Sequence, residues 1–414
     1  MISRRIQEIE NPPKTRISVR EVPAARAGLD QDDIEAIWNA VLSYYRLGLQ
    51  PAMALCLRVR GEVVLDRAVG HAQGNGPDDV RDQPRVEATP DTPFNLFSAT
   101  KPITAMVVHG LVERGFFQLD DPVSRYLPEF NQDGKRDVTI RHVLSHRAGL
   151  ENLPGEINLD RLEDHDHIRA MIGKAKMASQ SGVNSAYHAL TGGYILWELV
   201  REVSGRCLRD LQREWICEPL GFEFMNYGLS PQKRALYAPD VFTGPPAVYP
   251  LTRIIERSLG MSLSEVVKST NDERFLNAVV PSANVFATAN EVCRYFEMLR
   301  CGGSLDGQQI FKPETVSQAV SKSAFTQLDS VIKLPISYGL GFMLGHPLMS
   351  LFGPRTSGAY GHLGFTNVLV WADPAREASV AFLNSGKPFI TPELLIWLNI
   401  PRTICARLPR RRAS

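Results

Sequence analysis

The stretch FNLFSATKPITAMVVHGLVERG, residues 94–115, decides how this chain is read. An apolar, extended-looking run from Phe94 to Phe97 stops at Ser98, and Lys101 follows three residues later. Beyond it Ile103, Met106, Val107, Gly110 and Leu111 recur at helical spacing. Pro102 fits the start of that helix, because proline is tolerated only near the first turn. The spacing therefore predicts a strand-to-helix junction at Ser98. Positions i and i+3 lie on one helix face, so the Lys101 amine can reach the Ser98 hydroxyl.

Outward from this junction the chain changes character twice. On its N-terminal side, residues 32–48 carry Ile34, Ile37, Trp38, Val41 and Leu42 on one face and predict an amphipathic helix. Residues 53–70 hold Val/Leu runs around a Gly-Glu turn and predict a β-hairpin. Residues 71–93, rich in Gly, Pro and Asp, read as a loop. Residues 99–280 read mainly as helix, with Ile195, Leu196, Leu199, Val200 and Val203 forming a second apolar face. The proline-rich interval 226–250 reads as a long loop with a functional job. In the last third, YGLGFML, GHLGFTNVLVWADP and EASVAFLNSG read as successive antiparallel strands.

Strands at both ends and helices between them predict an α+β fold. One antiparallel sheet is built from both chain ends and flanked by helices, with a mainly helical region inserted, which protects the sheet edges. The expected division is a sheet domain of residues 1–98 with 281–414, a helical domain of 99–280, and a site at their junction.

Composition narrows the function classes. With 414 residues, 44% apolar and 22% charged, the chain can bury a sizeable core. A formal net charge of +1 gives no global attraction for nucleic acid. No run approaches the roughly 18 apolar residues of a spanning helix, and the first 20 residues lack the apolar core of a secretory signal. The six cysteines show no C-x-x-C spacing, read as reduced, and point to a cytoplasmic protein. The tail LLIWLNIPRTICARLPRRRAS is apolar, then basic. It reads as a docked terminal helix with a solvated end, with peripheral contact to an anionic membrane surface as the alternative. Oligomeric state is not legible.

Three segments carry candidate chemistry. A serine beside a desolvated lysine is one way to make a nucleophile, since a buried lysine loses its charge readily. Ser-x-x-Lys alone is weak: it recurs at Ser230–Lys233 and Ser330–Lys333, neither at a strand-to-helix junction. From spacing alone, Ser98 as a helix cap with a solvated Lys101 is an equal reading. Tyr187, just before the second predicted helix, could pass a proton to a leaving group if the lysine charge lowers its pKa. A tyrosine packed at a helix entrance is the plain alternative. In GAYGHLGFTNVLVW (358–371), His362 and Gly364 open a strand. Glycine there lets a substrate approach the backbone, and a nearby N–H could serve an oxyanion. The alternative is an ordinary strand entry with a surface histidine.

Together these segments resemble the penicillin-recognising serine hydrolases, in particular the class C β-lactamase-like group with its family VIII carboxylesterases. Ser98-Ala99-Thr100-Lys101 matches the first motif, Tyr187-His188-Ala189 aligns with Tyr-x-Asn, and His362-Leu363-Gly364 aligns with Lys/His-x-Gly. LDDPVSRYLPEF, TIRHVLSHRAGL, NVFATANEVCRYFEML and YGLGF support it in order, over most of residues 50–385. The resemblance implies a serine β-lactamase/transpeptidase-like fold and an acyl-enzyme on Ser98. It implies proton management by Lys101 and Tyr187, and an oxyanion hole from the Ser98 and Phe365 N–H groups. It implies a small-molecule acyl substrate and neither metal nor cofactor.

Two positions depart from the family pattern. Ala189 stands where the family has asparagine, and His362 where the lactamases usually carry lysine. An alanine side chain forms no hydrogen bond, and a histidine is mostly neutral at pH 7. Both favour a neutral acyl ester over a β-lactam. The expected activity is a carboxylesterase on small or medium acyl esters. The alternatives are a β-lactamase, D-amino-acid peptidase or acyltransferase of the same fold, and a non-catalytic acyl-ligand-binding or scaffold protein.

Other patterns carry less. EDHDH (163–167) reads as a solvated loop rather than a metal site. His142 and His146 are four apart but lack the H-E-x-x-H glutamate, and the resemblance implies a structural role. Residues 250–267 are amphipathic and read either as a lid or as a packed helix.

Overall fold

The computed structural model describes residues 3–151, 158–245, 261–388 and 394–411. In chain order its main strands are β1 (Thr15–Ile17), β2 (Ala52–Val59), β3 (Glu62–Gln73), β4 (Phe94–Asn95), β5 (Asn226–Tyr227), β6 (Val285–Ala287), β7 (Gln327–Leu328), β8 (Pro335–Tyr338), β9 (Met343–Leu344), β10 (Tyr360–Leu363), β11 (Leu369–Asp373) and β12 (Ala378–Asn384). The helices used below are α1 (Gln31–Tyr45), α2 (Lys101–Glu113), α3 (Thr191–Ser204), α4 (Ala289–Arg300) and α5 (Asn399–Arg407).

The large sheet runs β1-β3-β2-β12-β11-β10-β9-β8-β7, all neighbours antiparallel. Its seam is β2 against β12, from Met53 opposite Asn384 to Val59 opposite Ala378. N-terminal and C-terminal segments therefore meet in the middle of one sheet, as the strand pattern at both chain ends predicts.

Alternation explains the layers. Successive side chains of a strand point to opposite faces. On β2, Met53, Leu55 and Leu57 enter one core with Ile34, Ile37, Trp38 and Val41 of α1 and with Ile400 and Ile404 of α5. Ala54 and Cys56 face the other core, where α4 packs on β2, β11 and β12. Small residues on that face let a helix lie close to the sheet. A capping box at Thr288 and Glu291 fixes where α4 begins.

The terminal helix docks as expected: Trp397, Ile400, Ile404 and Leu408 are buried on the α1 side of the sheet. Among the described residues no helix is long and apolar enough to cross a membrane. All six cysteines are free, and Cys207 and Cys301 are exposed.

Two local readings change. The β2–β3 turn sits at Arg60 and Gly61, with φ of 55° and 85°, one residue earlier than the Gly-Glu reading. Left-handed φ at both central residues twists as the flanking strands do. EDHDH is not a solvated loop but the start of a helix, His165–Lys174. The Asp164 carboxylate accepts the His167 N–H, and His165 Nδ1 lies 2.6 Å from Glu198. Residues 246–260 of the two amphipathic or proline-rich intervals lie outside the described residues. The described part of the first interval is β5, paired with β6, followed mainly by turn and loop as expected, and the second interval enters a capped helix, Leu263–Thr270.

Candidate active site

β4 ends at Asn95, and the chain then turns sharply. Phe97 has φ 47°, a left-handed conformation that a bulky residue adopts only when its surroundings impose it. A single 3₁₀ turn, Phe97–Thr100, leads into α2, with Pro102 in its first turn. Ser98 projects from that turn and caps nothing by its side chain.

Lys101 lies on the same side, buried. Its Nζ donates to the Ala189 carbonyl at 2.8 Å and to the Ser282 carbonyl at 3.3 Å, which uses both hydrogens of a neutral amine, and it lies 3.2 Å from Ser98 Oγ. It also stands 4.8 Å from the centre of the Tyr187 ring. Among the described residues no carboxylate pairs with it, and desolvation alone lowers its pKa to about 7. The amine therefore exists substantially as a free base at neutral pH, with a lone pair next to a hydroxyl. Solvation of Lys101, the plain alternative, does not hold.

Tyr187 precedes α3, as expected, and its ring borders Lys101, His146 at 4.7 Å and His362 at 6.1 Å. The expectation that a lysine charge lowers its pKa is corrected. Desolvation raises the phenol well above its ordinary value, offset only in part by its interaction with Ser98. Lys101, itself shifted toward neutrality, brings little charge to counter this. The phenol keeps its proton and can donate it.

His362 sits on β10 opposite Val370 and is buried, not a surface residue. Its Nδ1–H donates to the Leu363 carbonyl at 2.7 Å, which leaves Nε2 as an acceptor. Burial, and then the neighbouring Lys101, lower its pKa to about 3. The His362 side chain is therefore not a fixed cation. Gly364 follows. A Cβ on it would come 2.5 Å from the Leu96 carbonyl oxygen and 2.8 Å from Val368 Cβ, so only glycine lets the end of β10 lie against the segment that carries Ser98. Phe365 completes the contact, its ring stacked on Phe97 at 5.1 Å and 26°. The residues beside Ser98 and Phe365 thus hold the two main-chain segments together.

Two histidines, His146 and His188, enter the site as a pair that no local sequence pattern joins. The His188 N–H donates to His146 Nδ1 at 3.0 Å, and the two Nδ1 atoms are 3.3 Å apart. His188 Nε2 accepts the Leu150 N–H at 3.1 Å. That acceptor role puts the His188 proton on Nδ1, pointed at His146. Burial depresses both imidazoles, His188 to about 3, so the pair is neutral. His146, with φ 57°, packs on both Tyr187 and Tyr338. His142 does not join it as a second metal ligand, because its Nδ1 accepts the Thr139 N–H in a capping box. Among the described residues no cluster of His, Cys, Asp or Glu could hold a metal ion. The other Ser-x-x-Lys pairs form no such site: Ser230 opens a short 3₁₀ turn, and Lys233 and Lys333 are not buried.

Residues 43–400 match the family described as Beta-lactamase. The chain is 30% identical over 350 residues to "Esterase/beta-lactamase LipL" of Mycobacterium tuberculosis, covering 82% of this chain and 77% of that protein. It is 27% identical over 350 residues to "Esterase EstB" of Burkholderia gladioli, covering 80% and 82%. A penicillin-binding protein homolog from Caulobacter crescentus superposes with a TM-score of 0.77 at 29% identity, covering 91% of this chain and 98% of that one. A family VIII carboxylesterase superposes with a TM-score of 0.75 at 24% identity, covering 89% and 96%, and bears on the fold alone.

Proposed function

The chain belongs to the beta-lactamase family, and on that premise we propose that it is a serine carboxylesterase working through an acyl-enzyme on small or medium acyl esters. The observation that carries the proposal is the buried Lys101 amine, 3.2 Å from the Ser98 hydroxyl and paired with no carboxylate among the described residues.

In this reading the neutral Lys101 Nζ takes the Ser98 proton as Oγ bonds to the acyl carbon. The carbonyl electrons move to oxygen, where the Ser98 and Phe365 N–H groups receive the charge. Collapse of that intermediate breaks the bond to the alcohol oxygen. The protonated Tyr187 phenol delivers its proton to the departing oxygen and is recharged from Lys101. Water then attacks the acyl-enzyme by the reverse route and returns the proton to Ser98. The site lies at the junction of the sheet unit, 1–98 with 281–414, and the helical unit, 99–280.

The substrate class follows from charge. A neutral His362 offers an acceptor, not a cation, to a substrate carboxylate. Ala189 uses only its main-chain carbonyl, on Lys101. Neither group favours a carboxylate-bearing β-lactam over a neutral ester, and two relatives carry the word esterase in their names. LipL is also named a β-lactamase, which keeps β-lactam hydrolysis as the second reading. Comparing kcat/KM for p-nitrophenyl butyrate and nitrocefin decides between them. The proposal expects the ester to be preferred, and a preference for nitrocefin would replace it. Binding of acyl ligands by a folded protein that turns over neither substrate would favour the non-catalytic reading.

A further inference from the structure

A buried polar chain runs behind Ser98 and ends on both main-chain segments assigned to the oxyanion. Phe97 N–H donates to Asn95 Oδ1 at 3.1 Å, and this bond holds the left-handed residue that precedes the nucleophile. Asn95 Nδ2 in turn donates to Asp240 Oδ2 at 3.2 Å. Asp240 Oδ1 lies 3.4 Å from Lys387 Nζ. Lys387 is fully buried, and its Nζ stands 5.1 Å from the centre of the Phe97 ring.

The same ammonium serves the other segment. Lys387 Nζ donates to Asn384, at 2.5 Å to its carbonyl and 3.3 Å to Oδ1. Asn384 Nδ2 donates to the Asn367 carbonyl at 2.9 Å. Asn367 N–H donates to the Phe365 carbonyl at 3.0 Å, around Thr366 at φ 58°. The Phe97 and Phe365 rings then close the circuit by stacking. The loop that carries Asp240 is clamped in place by Val241 N–H to the Ser385 carbonyl and Lys387 N–H to the Val241 carbonyl, both at 2.8 Å.

We infer that Lys387 and Asp240, through Asn95 and Asn384, are positioning residues that fix the spacing of the Ser98 and Phe365 N–H groups. A buried ion pair is weak evidence for stability as such, since desolvating two charges is costly. It is well suited to over-determining a strained backbone, which relaxes unless its neighbours hold it. Preorganised donors act on a developing oxyanion only when they are already placed, and an error of about 1 Å costs about 100-fold. The inference rests on the esterase reading above.

The test is Asp240→Asn, an isosteric change that removes the charge, with Asp240→Asn/Lys387→Met as a second variant that removes both charges. The expected result for p-nitrophenyl butyrate is a kcat lower by about 10- to 100-fold in both, with KM within about twofold. Melting temperature is expected to recover in the double variant while kcat does not. A crystal structure of either variant is expected to show Phe97 out of the left-handed region. Turnover that recovers together with melting temperature would assign the pair a purely structural role and overturn the inference. So would Phe97 unmoved at a φ near 47°. If the wild type shows no Ser98-dependent turnover, the esterase reading fails by itself, and the Phe97 conformation of the variants still decides the positioning claim.

Discussion

Lys101 Nζ lies 3.2 Å from Ser98 Oγ, and its other polar contacts among the described residues are main-chain carbonyls, of Ala189 and Ser282. Among the described residues no anion pairs with the amine, so it is oriented without being neutralised. Protonated, it has no lone pair to accept the serine proton; neutral, it does. Acylation is therefore expected to rise with pH through an apparent pKa of about 7 and level off above it. A pre-steady-state pH profile of acyl transfer from p-nitrophenyl butyrate checks this. His362 and His188, both lowered to about 3, contribute no second inflection in that range.

The same shift makes a stability prediction. The folded-state pKa of Lys101 is about 7, below its ordinary 10.5. Between those values the unfolded chain binds the proton and the folded chain releases it, so raising pH favours the folded state. Relative to Lys101→Met, the wild type is expected to gain stability from about pH 7 to about pH 10.5, by no more than about 1.4 kcal/mol per pH unit. Below about pH 7 both states hold the proton and the difference is flat. Paired urea titrations across this range measure it.

Gly364→Ala is expected to reduce kcat by about 100-fold. The added methyl meets the Leu96 carbonyl at 2.5 Å, which pushes the end of β10 away from the segment carrying Ser98. Circular dichroism separates this from unfolding, and steady-state kinetics reads the loss.

His188→Ala is expected to destabilise by about 1–3 kcal/mol, because the Leu150 N–H loses its buried acceptor. His146 keeps the main-chain N–H of residue 188 on its Nδ1 but loses the imidazole stacked on it, which loosens the ring against Tyr187. A lower kcat is expected together with a lower urea midpoint.

The parts legible in the sequence are those with a local pattern. β2, β3 and β10–β12 announce themselves by β-prone residues bounded by glycine and turn residues, and α2 by its apolar period. Ser98 and Lys101 are legible because one helical turn sets their distance. The rest depends on residues that only tertiary structure brings together. His146 and His188 are 42 positions apart, and Asn95 and Asp240 are 145. Each reads alone as an ordinary loop or strand-end residue. The left-handed Phe97 is illegible for the same reason: nothing in Leu-Phe-Ser demands that conformation, and buried neighbours impose it. EDHDH misleads because a run of charged residues signals solvent as readily as the first turn of a helix, where acidic groups also collect.

The central claim is that Ser98 is the nucleophile. Intact-mass measurement after exposure to a fluorophosphonate probe tests it most directly, on the wild type and on Ser98→Ala. One covalent adduct on the wild type and none on the folded variant is the predicted result. An adduct that survives in Ser98→Ala, or a folded wild type that takes up no probe, would contradict it.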